Sequence, residues 1–340
     1  MTARACIIPV FVPHLGCPHQ CVFCDQKQIT GCSAGITVET VRSAIRAAEA
    51  AAGCGTKRQL AFYGGSFTAM PEAMQTPLLE AAAEAIADGQ IDSARLSTRP
   101  DAVTEGILRR LVSYGVDTVE LGAQSMDDDV LRLSRRGHSA ADVERASRLV
   151  HEAGLSLILQ MMTGLPGDTA EKSMATARRL IALRPEGVRI YPTVVVKGTD
   201  LYDMWVRGEY REHTLPEAVQ LCAALYDLFD WAGIPIIRLG LNPNEQLSGG
   251  GAAAGAYHPA FGELVRSRRF FERACRLLDG VRPGSRVVLA VRPRLLSQVL
   301  GQRRENLRLL REQFALTELK ILPDETITED IVVLSAAFPE

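Results

Sequence analysis

Three cysteines stand close together near the start of the chain, in Cys17-Pro18-His19-Gln20-Cys21-Val22-Phe23-Cys24. Their spacing is C-x3-C-x2-C. Three thiolates on one short loop can ligate three irons of a 4Fe–4S cluster and leave the fourth iron without a protein ligand. An open iron is a place for a substrate to coordinate. Zinc is the competing reading, because cysteine and histidine at short spacing suit it too, with His14 or His19 as a fourth ligand. A structural zinc site closes with four ligands, however, and the chain has no second C-x2-C or H-x3-H pair. Cys6, Cys32, Cys54, Cys222 and Cys275 have no partner at ligand spacing. They are expected to stay out of disulfides, several of them as small core hydrophobes.

Elements that could position such a loop follow from the hydrophobic period. Apolar runs at 6–12, 59–63, 94–98, 117–122, 156–162 and 187–192 read as strands. Amphipathic stretches at 38–52, 71–87, 104–114, 127–135, 140–153 and 169–183 read as helices between them. Gly53 is an expected C-cap, while Thr104 and the Asp168-Thr169 pair open helices. Six βα units require parallel strands with helical crossovers. The expected fold is therefore α/β, an open partial (β/α)6 TIM-type barrel over residues 1–234. The unusual residues sit at strand C-terminal ends, where such sheets bind ligands. After a helix at 215–232 and a strand at 234–239, a glycine-alanine loop spans 242–259. Then come a helix at 262–278, a strand at 286–291, a helix at 294–313 and strands at 317–322 and 330–335. Residues 235–340 are expected to form a small α+β extension.

With 340 residues, 47% hydrophobic and 23% charged, the composition is that of a globular chain. It excludes a disordered protein, a collagen and a coiled coil. No stretch reaches the about 18–20 apolar residues of a membrane span. The apolar start Ile7–Val12 is broken by Pro9 and lacks a basic leader, so no signal peptide is expected and the protein is placed in the cytoplasm. The net charge of −2 hides an uneven distribution: residues 260–320 hold 14 Lys and Arg against 6 Asp and Glu. Such a block suits a polyanionic partner, though a solvated arginine-rich helix face would read the same way.

The cysteine spacing, Phe23 before the last cysteine and the βα order together resemble the radical S-adenosylmethionine (SAM) enzymes. The resemblance implies two cofactors, a 4Fe–4S cluster on Cys17, Cys21 and Cys24 and a SAM on the open iron. Phe23 then adjoins the cofactors. An electron from the cluster cleaves SAM to a 5′-deoxyadenosyl radical, which calls for a reductant such as flavodoxin or ferredoxin. Gly64-Gly65-Ser66 is similar to the family's element for the methionine amino group, with Ser66 in place of a glutamate. The glycines let the backbone approach the ligand. Further along come Ser97-Thr98-Arg99-Pro100-Asp101, Glu120-Leu121-Gly122-Ala123-Gln124-Ser125, Arg135-Arg136-Gly137-His138 and Gln160-Met161-Met162-Thr163-Gly164-Leu165-Pro166-Gly167. This order looks like the branch holding the Elongator catalytic subunit and the oxygen-independent coproporphyrinogen oxidases. In the porphyrin enzymes four polar residues hold SAM, and by local motif these fall on Ser97, Gln124, Arg136 and Gln160. Arg136 can offer its planar fork to the SAM carboxylate, and the glutamines can bond the ribose hydroxyls.

Arg189-Ile190-Tyr191-Pro192-Thr193, Arg238–Asn242, Tyr257–Val265 and Arg304-Glu305-Asn306-Leu307 are similar to the Elongator subunit in particular. On that likeness Tyr191, Tyr257 and His258 are candidate proton or hydrogen-atom partners of the substrate; a polar loop packed over the barrel is the alternative. The Elongator subunit also carries an acetyl-CoA-dependent domain. About 80 residues follow Phe261 and no acetyl-CoA loop is visible, so that domain is expected to be absent. The leading expectation is a radical SAM enzyme that modifies a base in RNA such as tRNA or rRNA. Arg292, Arg294, Arg303, Arg304, Arg308 and Arg311 would then contact phosphates. Two others stay open: the same chemistry on a small or tetrapyrrole substrate, and a non-enzymatic iron–sulfur or haem-trafficking protein.

Overall fold

A computed structural model describes residues 6–12, 17, 21–25, 35–50 and 57–337. They fall into two compact units, residues 1–218 with 228–259 and residues 219–227 with 260–340.

The first unit is built on a parallel sheet. Its strands are β1 (Cys6–Val12), β2 (Arg58–Gly64), β3 (Ser93–Thr98), β4 (Val116–Gln124), β5 (Ser156–Thr163), β6 (Gly187–Pro192) and β8 (Ile236–Leu239), in that spatial order. All six pairings are parallel, and the order leaves β1 and β8 as edges of a curled, open sheet. Pro9 fits because an edge strand has a side that needs no N–H donor. The crossovers are α1 (Val38–Ala50), α2 (Glu72–Ala87), α3 (Glu105–Ser113), α4 (Asp128–Leu133), α5 (Ala140–Glu152) and α6 (Ala170–Ala182). Thr104 and Thr169 cap α3 and α6 by accepting from Ile107 N and Lys172 N. Gly53 lies outside the described residues.

The sheet is a seven-stranded half-barrel, one strand more than expected. The seventh strand, β8, hydrogen-bonds beside β6, so residues 235–259 join the barrel unit rather than the extension. Sequence reading also missed a two-stranded ribbon, β7 (Val194–Val196) with β9 (Ala252–Gly255), antiparallel. Three valines and four residues of Ala and Gly are too short to show a period. Between them run α7 (Asp200–Val206) and α8 (Leu215–Trp231), the latter opened by a capping box of Thr214 and Glu217.

In the second unit α9 (Phe261–Leu278) covers a sheet ordered β11 (Glu318–Pro323), β10 (Arg286–Val291), β12 (Ile331–Ala337). Phe270, Phe271, Ala274 and Leu278 pack with Val287, Leu289 and Val291 as its core. The helix expected at 294–313 is two helices, α10 (Leu296–Leu300) and α11 (Glu305–Gln313). Gly301 at φ 74° ends the first, and Arg303 and Arg304 also take positive φ. The buried Asn306 side chain fixes this break, donating to Val299 O and Ser267 O at 3.0 Å each. Cys222 is buried as expected. Cys6 is disulfide-bonded, against expectation. Cys32 and Cys54 lie outside the described residues. Among the described residues, no helix is long and apolar enough to cross a membrane.

Candidate active site inside the half-barrel

Strand alternation aims one set of side chains at the barrel interior. Along β1, Ile8, Val10 and Val12 are buried, whereas Ile7, Pro9 and Phe11 line a cavity of about 570 Å³. The same wall takes Tyr63 from β2, Ser97 from β3, Glu120, Gly122 and Gln124 from β4, Gln160 and Met162 from β5, and Arg189 and Tyr191 from β6. Cys17, Cys21, Phe23, Cys24, Gly64, Gly65, Ser66 and Arg136 complete it on one side.

The cysteine segment is anchored through its neighbours. Val22 N donates to Ser134 O at 3.3 Å and Val22 O accepts from Leu201 N at 2.7 Å. The Val22 side chain clusters with Val130, Leu165 and Leu201. Cys21 is buried, Cys24 half-buried and Cys17 exposed. Cys17 Sγ lies 3.5 Å from Ser66 Oγ. Gly64 takes φ 108°, a conformation that favours glycine, and Gly65 N donates to Val12 O at 2.6 Å. Among the described residues no three His, Cys, Asp or Glu side chains converge on a single ion. A cluster asks for less, because each thiolate holds a different iron. His14 and His19 lie outside the described residues.

Arg136 joins this segment to the sheet. Its Nη1 donates to Cys21 Sγ at 3.2 Å and its Nη2 to Gly122 O at 2.8 Å. Arg99 supports it from behind, donating to the Arg136 carbonyl while its Nε is held by Asp101 Oδ1 at 2.9 Å. Arg99 is only 1% exposed and was not among the expected site residues. A fully buried arginine after a strand is invisible to period and composition alike. A Cβ on Gly122 would sit 2.8 Å from Gln124 Nε2 and 3.2 Å from Arg136 Nη2, so glycine makes room for both. Gln124 takes φ 63°, uncommon outside glycine, and its Oε1 accepts from Gln160 Nε2 at 3.1 Å. His138 Nε2 lies 3.1 Å from Ala123 O, and burial depresses its pKa to about 3.

A second polar group lies in the same cavity. Arg189 Nε stands 2.8 Å from Glu120 Oε2, its Nη1 donates to Tyr191 OH at 3.3 Å and its Nη2 to Tyr63 OH at 2.8 Å. The guanidinium carbon is 5.0 Å from the Tyr63 ring centroid. Burial raises the Glu120 pKa against the pull of Arg189. Burial likewise raises that of Tyr191, again partly countered by Arg189. Burial alone would weaken the Arg189 charge, yet Glu120 and the two phenols hold its pKa above the usual range. Tyr191 was expected at the site, whereas Tyr63, Glu120 and Arg189 were not. A glutamate in the middle of β4 and an arginine in the middle of β6 were the available signal.

Tyr257 and His258 are not part of the cavity wall. Tyr257 packs on Val194, Val196 and Leu247, and its hydroxyl lies 2.8 Å from Ser248 Oγ. The β7–β9 ribbon holds it there. The six arginines expected to meet phosphates all belong to the second unit. Arg292 is taken by Thr328 O and, at 3.9 Å, by Asp330, with Arg294 beside the same turn. Arg303 and Arg304 are exposed at the helix break, Arg311 is exposed in α11, and Arg308 pairs with Glu312 at 2.8 Å.

The model described as the radical SAM superfamily matches residues 11–180, half of the chain, and that of the radical SAM C-terminal domain matches 185–270. The chain belongs to the radical SAM superfamily. It is an enzyme of that class. It is 35% identical over 129 residues to a tRNA uridine(34) acetyltransferase of Methanocaldococcus infernus, 37% of this chain and 24% of the relative. It thus spans about a quarter of the length of that relative. It is 34% identical over 218 residues to an uncharacterized protein of Methanocaldococcus jannaschii, 60% of this chain and 66% of the other. Among solved structures, the archaeal Elp3 of Methanocaldococcus infernus matches 84% of this radical SAM chain and 70% of its own, with TM-score 0.62 and 22% identity. At that identity the likeness concerns the fold alone.

Proposed function

We propose that Cys17, Cys21 and Cys24 hold three irons of a 4Fe–4S cluster, that SAM binds the open iron, and that the resulting radical modifies a base in a tRNA-like RNA. The observation that carries this reading is the meeting of all three cysteines, Ser66 and Arg136 on one cavity wall. A soft, all-thiolate donor set suits iron–sulfur ligation. With both cofactors bound, the site supplies one-electron cleavage of SAM to a 5′-deoxyadenosyl radical and methionine. Around it the chain does the positioning. Gly64, Gly65 and Ser66 present backbone to the methionine ammonium, Arg136 its fork to the carboxylate, and Gln124 and Gln160 their amides to the ribose, with Ser97 and Phe23 beside them. Tyr191 is the proton or hydrogen-atom partner, while Tyr257 and His258 enter no step. A reductant such as flavodoxin or ferredoxin delivers the electron, and the reaction runs in the cytoplasm.

Two things support RNA as substrate, the tRNA uridine(34) acetyltransferases among the relatives and the arginine-rich residues 260–320. Acetyl transfer is not carried over, since so little of those relatives is spanned. The test has two stages. Anaerobically reconstituted, reduced protein should release 5′-deoxyadenosine from SAM. Total RNA from a deletion strain should then lack one modified nucleoside that its parent contains, by mass spectrometry. An unchanged nucleoside profile would remove RNA from the proposal and leave a small substrate in its place.

A further inference from the structure

Hydrogen accounting at Arg189 leaves two donors over. Arginine has no acceptor, so Tyr191 OH and Tyr63 OH both receive hydrogens from it and must spend their own elsewhere. The hydrogen bonds that the two phenols make among the described residues are those received from Arg189, and both tyrosines line the cavity. The oxygens hang on the two ends of one planar guanidinium, which fixes their spacing. Glu120 cancels the arginine charge, so the group offers neutral O–H donors rather than a cation. Burial keeps the Tyr191 phenol protonated well above neutral pH, and therefore a donor.

We infer that Tyr63 and Tyr191 form a two-donor site for a carbonyl oxygen of an uncharged planar substrate, the C4 carbonyl of a pyrimidine base in the reaction proposed above. The inference rests on that reading for the choice of base and on the hydroxyl geometry for everything else. A carbonyl has two lone pairs and no hydrogen, so it accepts from both phenols at once. An amino group in the same place would set donor against donor and leave both phenols unpaired, which is the stronger discrimination. A thiocarbonyl, a weaker acceptor, falls between. A carboxylate is disfavoured by Glu120, which lines the same cavity.

The experiment is ligand-observed NMR titration of the holoprotein with uridine, 4-thiouridine and cytidine, run in parallel with Tyr63→Phe, Tyr191→Phe and the double variant. Wild type should rank uridine ahead of 4-thiouridine and cytidine last. Each single change should weaken uridine roughly three- to tenfold without weakening cytidine, and the double change should abolish the ranking. Circular dichroism and the cluster absorbance serve as controls that the variants are folded. A wild type that does not discriminate among the three, or a double variant that keeps the ranking, overturns the inference. Base recognition and RNA modification fail separately. If the deletion strain loses a modified nucleoside while the tyrosines prove neutral, the two-donor site alone is wrong. If the tyrosine-dependent ranking appears but RNA is unchanged, the site stands and its substrate is a free carbonyl compound.

Discussion

The two units use arginine in opposite ways. In the barrel, Arg189 and its partner Glu120 have side chains 16% and 5% exposed. In the second unit, Arg308 and Glu312 pair with side chains 58% and 59% exposed. Taking two charges out of water costs several kcal/mol per ion, and their attraction rarely returns much more than that. A pair of that kind persists where it holds something in place, and this one holds two phenols. An exposed pair is worth about 0–1 kcal/mol, is weakened by salt, and lets go of its arginine easily. Burial thus marks the groups that arrange chemistry. Exposure marks groups that stay available to a partner.

The sharpest break of that contrast is at the cysteines. Replacing Cys17, Cys21 or Cys24 by Ala should remove the cluster absorbance and all SAM cleavage from reconstituted protein, where wild type holds about four irons and four sulfides. Cys275→Ala, in the second unit, should leave both intact. Iron bound normally in any of the three variants would refute the ligand assignment.

Next in size is the buried pair. Glu120→Gln should destabilise the barrel by about 3 kcal/mol, because Arg189 is left buried without its counter-charge. The double change Glu120→Gln with Arg189→Met should recover part of that loss while still misplacing Tyr63 and Tyr191. Both tryptophans, Trp205 and Trp231, belong to the barrel unit, so tryptophan-monitored urea unfolding reads it selectively. Full stability in the single variant would mean that the pair is no more than an exposed one.

Acid provides a third separation, since the described histidines, His138, His151, His213 and His258, all lie in the first unit. His138, buried beside Arg136, has a pKa near 3 in the folded chain against an ordinary value of 6.5. Between those values the unfolded chain binds a proton that the folded chain refuses, so stability falls as pH drops below about 6.5. The slope is at most about 1.4 kcal/mol per pH unit, and the effect ends near pH 3. Comparing wild type with His138→Gln by urea unfolding at pH 7 and pH 5 isolates it from Glu120 and Asp168, whose raised pKa values act in the opposite direction. Equal pH slopes in the two proteins would show that His138 titrates normally.

How much of this was legible beforehand differs by region for a physical reason. The six first strands and their helices announced themselves, because parallel strands buried on both sides are continuous apolar runs and their crossovers carry a helical period. The cysteine spacing and glycine pair announced the site. Arg99 and the Arg189 group did not, since their meaning lies in which strands stand side by side, and period cannot supply that. The β7–β9 ribbon was too short to show a pattern. The break at Gly301 was hidden because Leu296–Gln313 keeps good helix formers on both sides, and only the Asn306 side chain fixes the turn. Tyr257 and His258 were carried by likeness of motif alone, and the ribbon packs Tyr257 on its own hydrophobic cluster instead.

The smallest expected effect lies in the second unit and concerns binding rather than stability. Replacing Arg303, Arg304, Arg308 and Arg311 together by Gln removes one exposed ion pair, the bond to Glu312, and should change unfolding free energy by less than about 1 kcal/mol. If those four meet phosphates, the slope of log affinity against log salt should fall by about 0.7 to 0.9 for each phosphate that goes unneutralised, because fewer counterions are released. Affinity should drop most at low salt. Cluster content and SAM cleavage without RNA should not move, since they belong to the barrel. The measurement is binding of tRNA and of an rRNA fragment from low to physiological salt, for wild type and the fourfold variant. Arg303 and Arg304 carry the most weight, as they stand exposed at a break whose positive φ angles are fixed by buried Asn306. A variant with unchanged slope would move the phosphate-binding surface elsewhere. Should wild type itself hold neither RNA better than an acidic control protein, the arginines of this unit are a solvated face and the barrel acts on a small substrate.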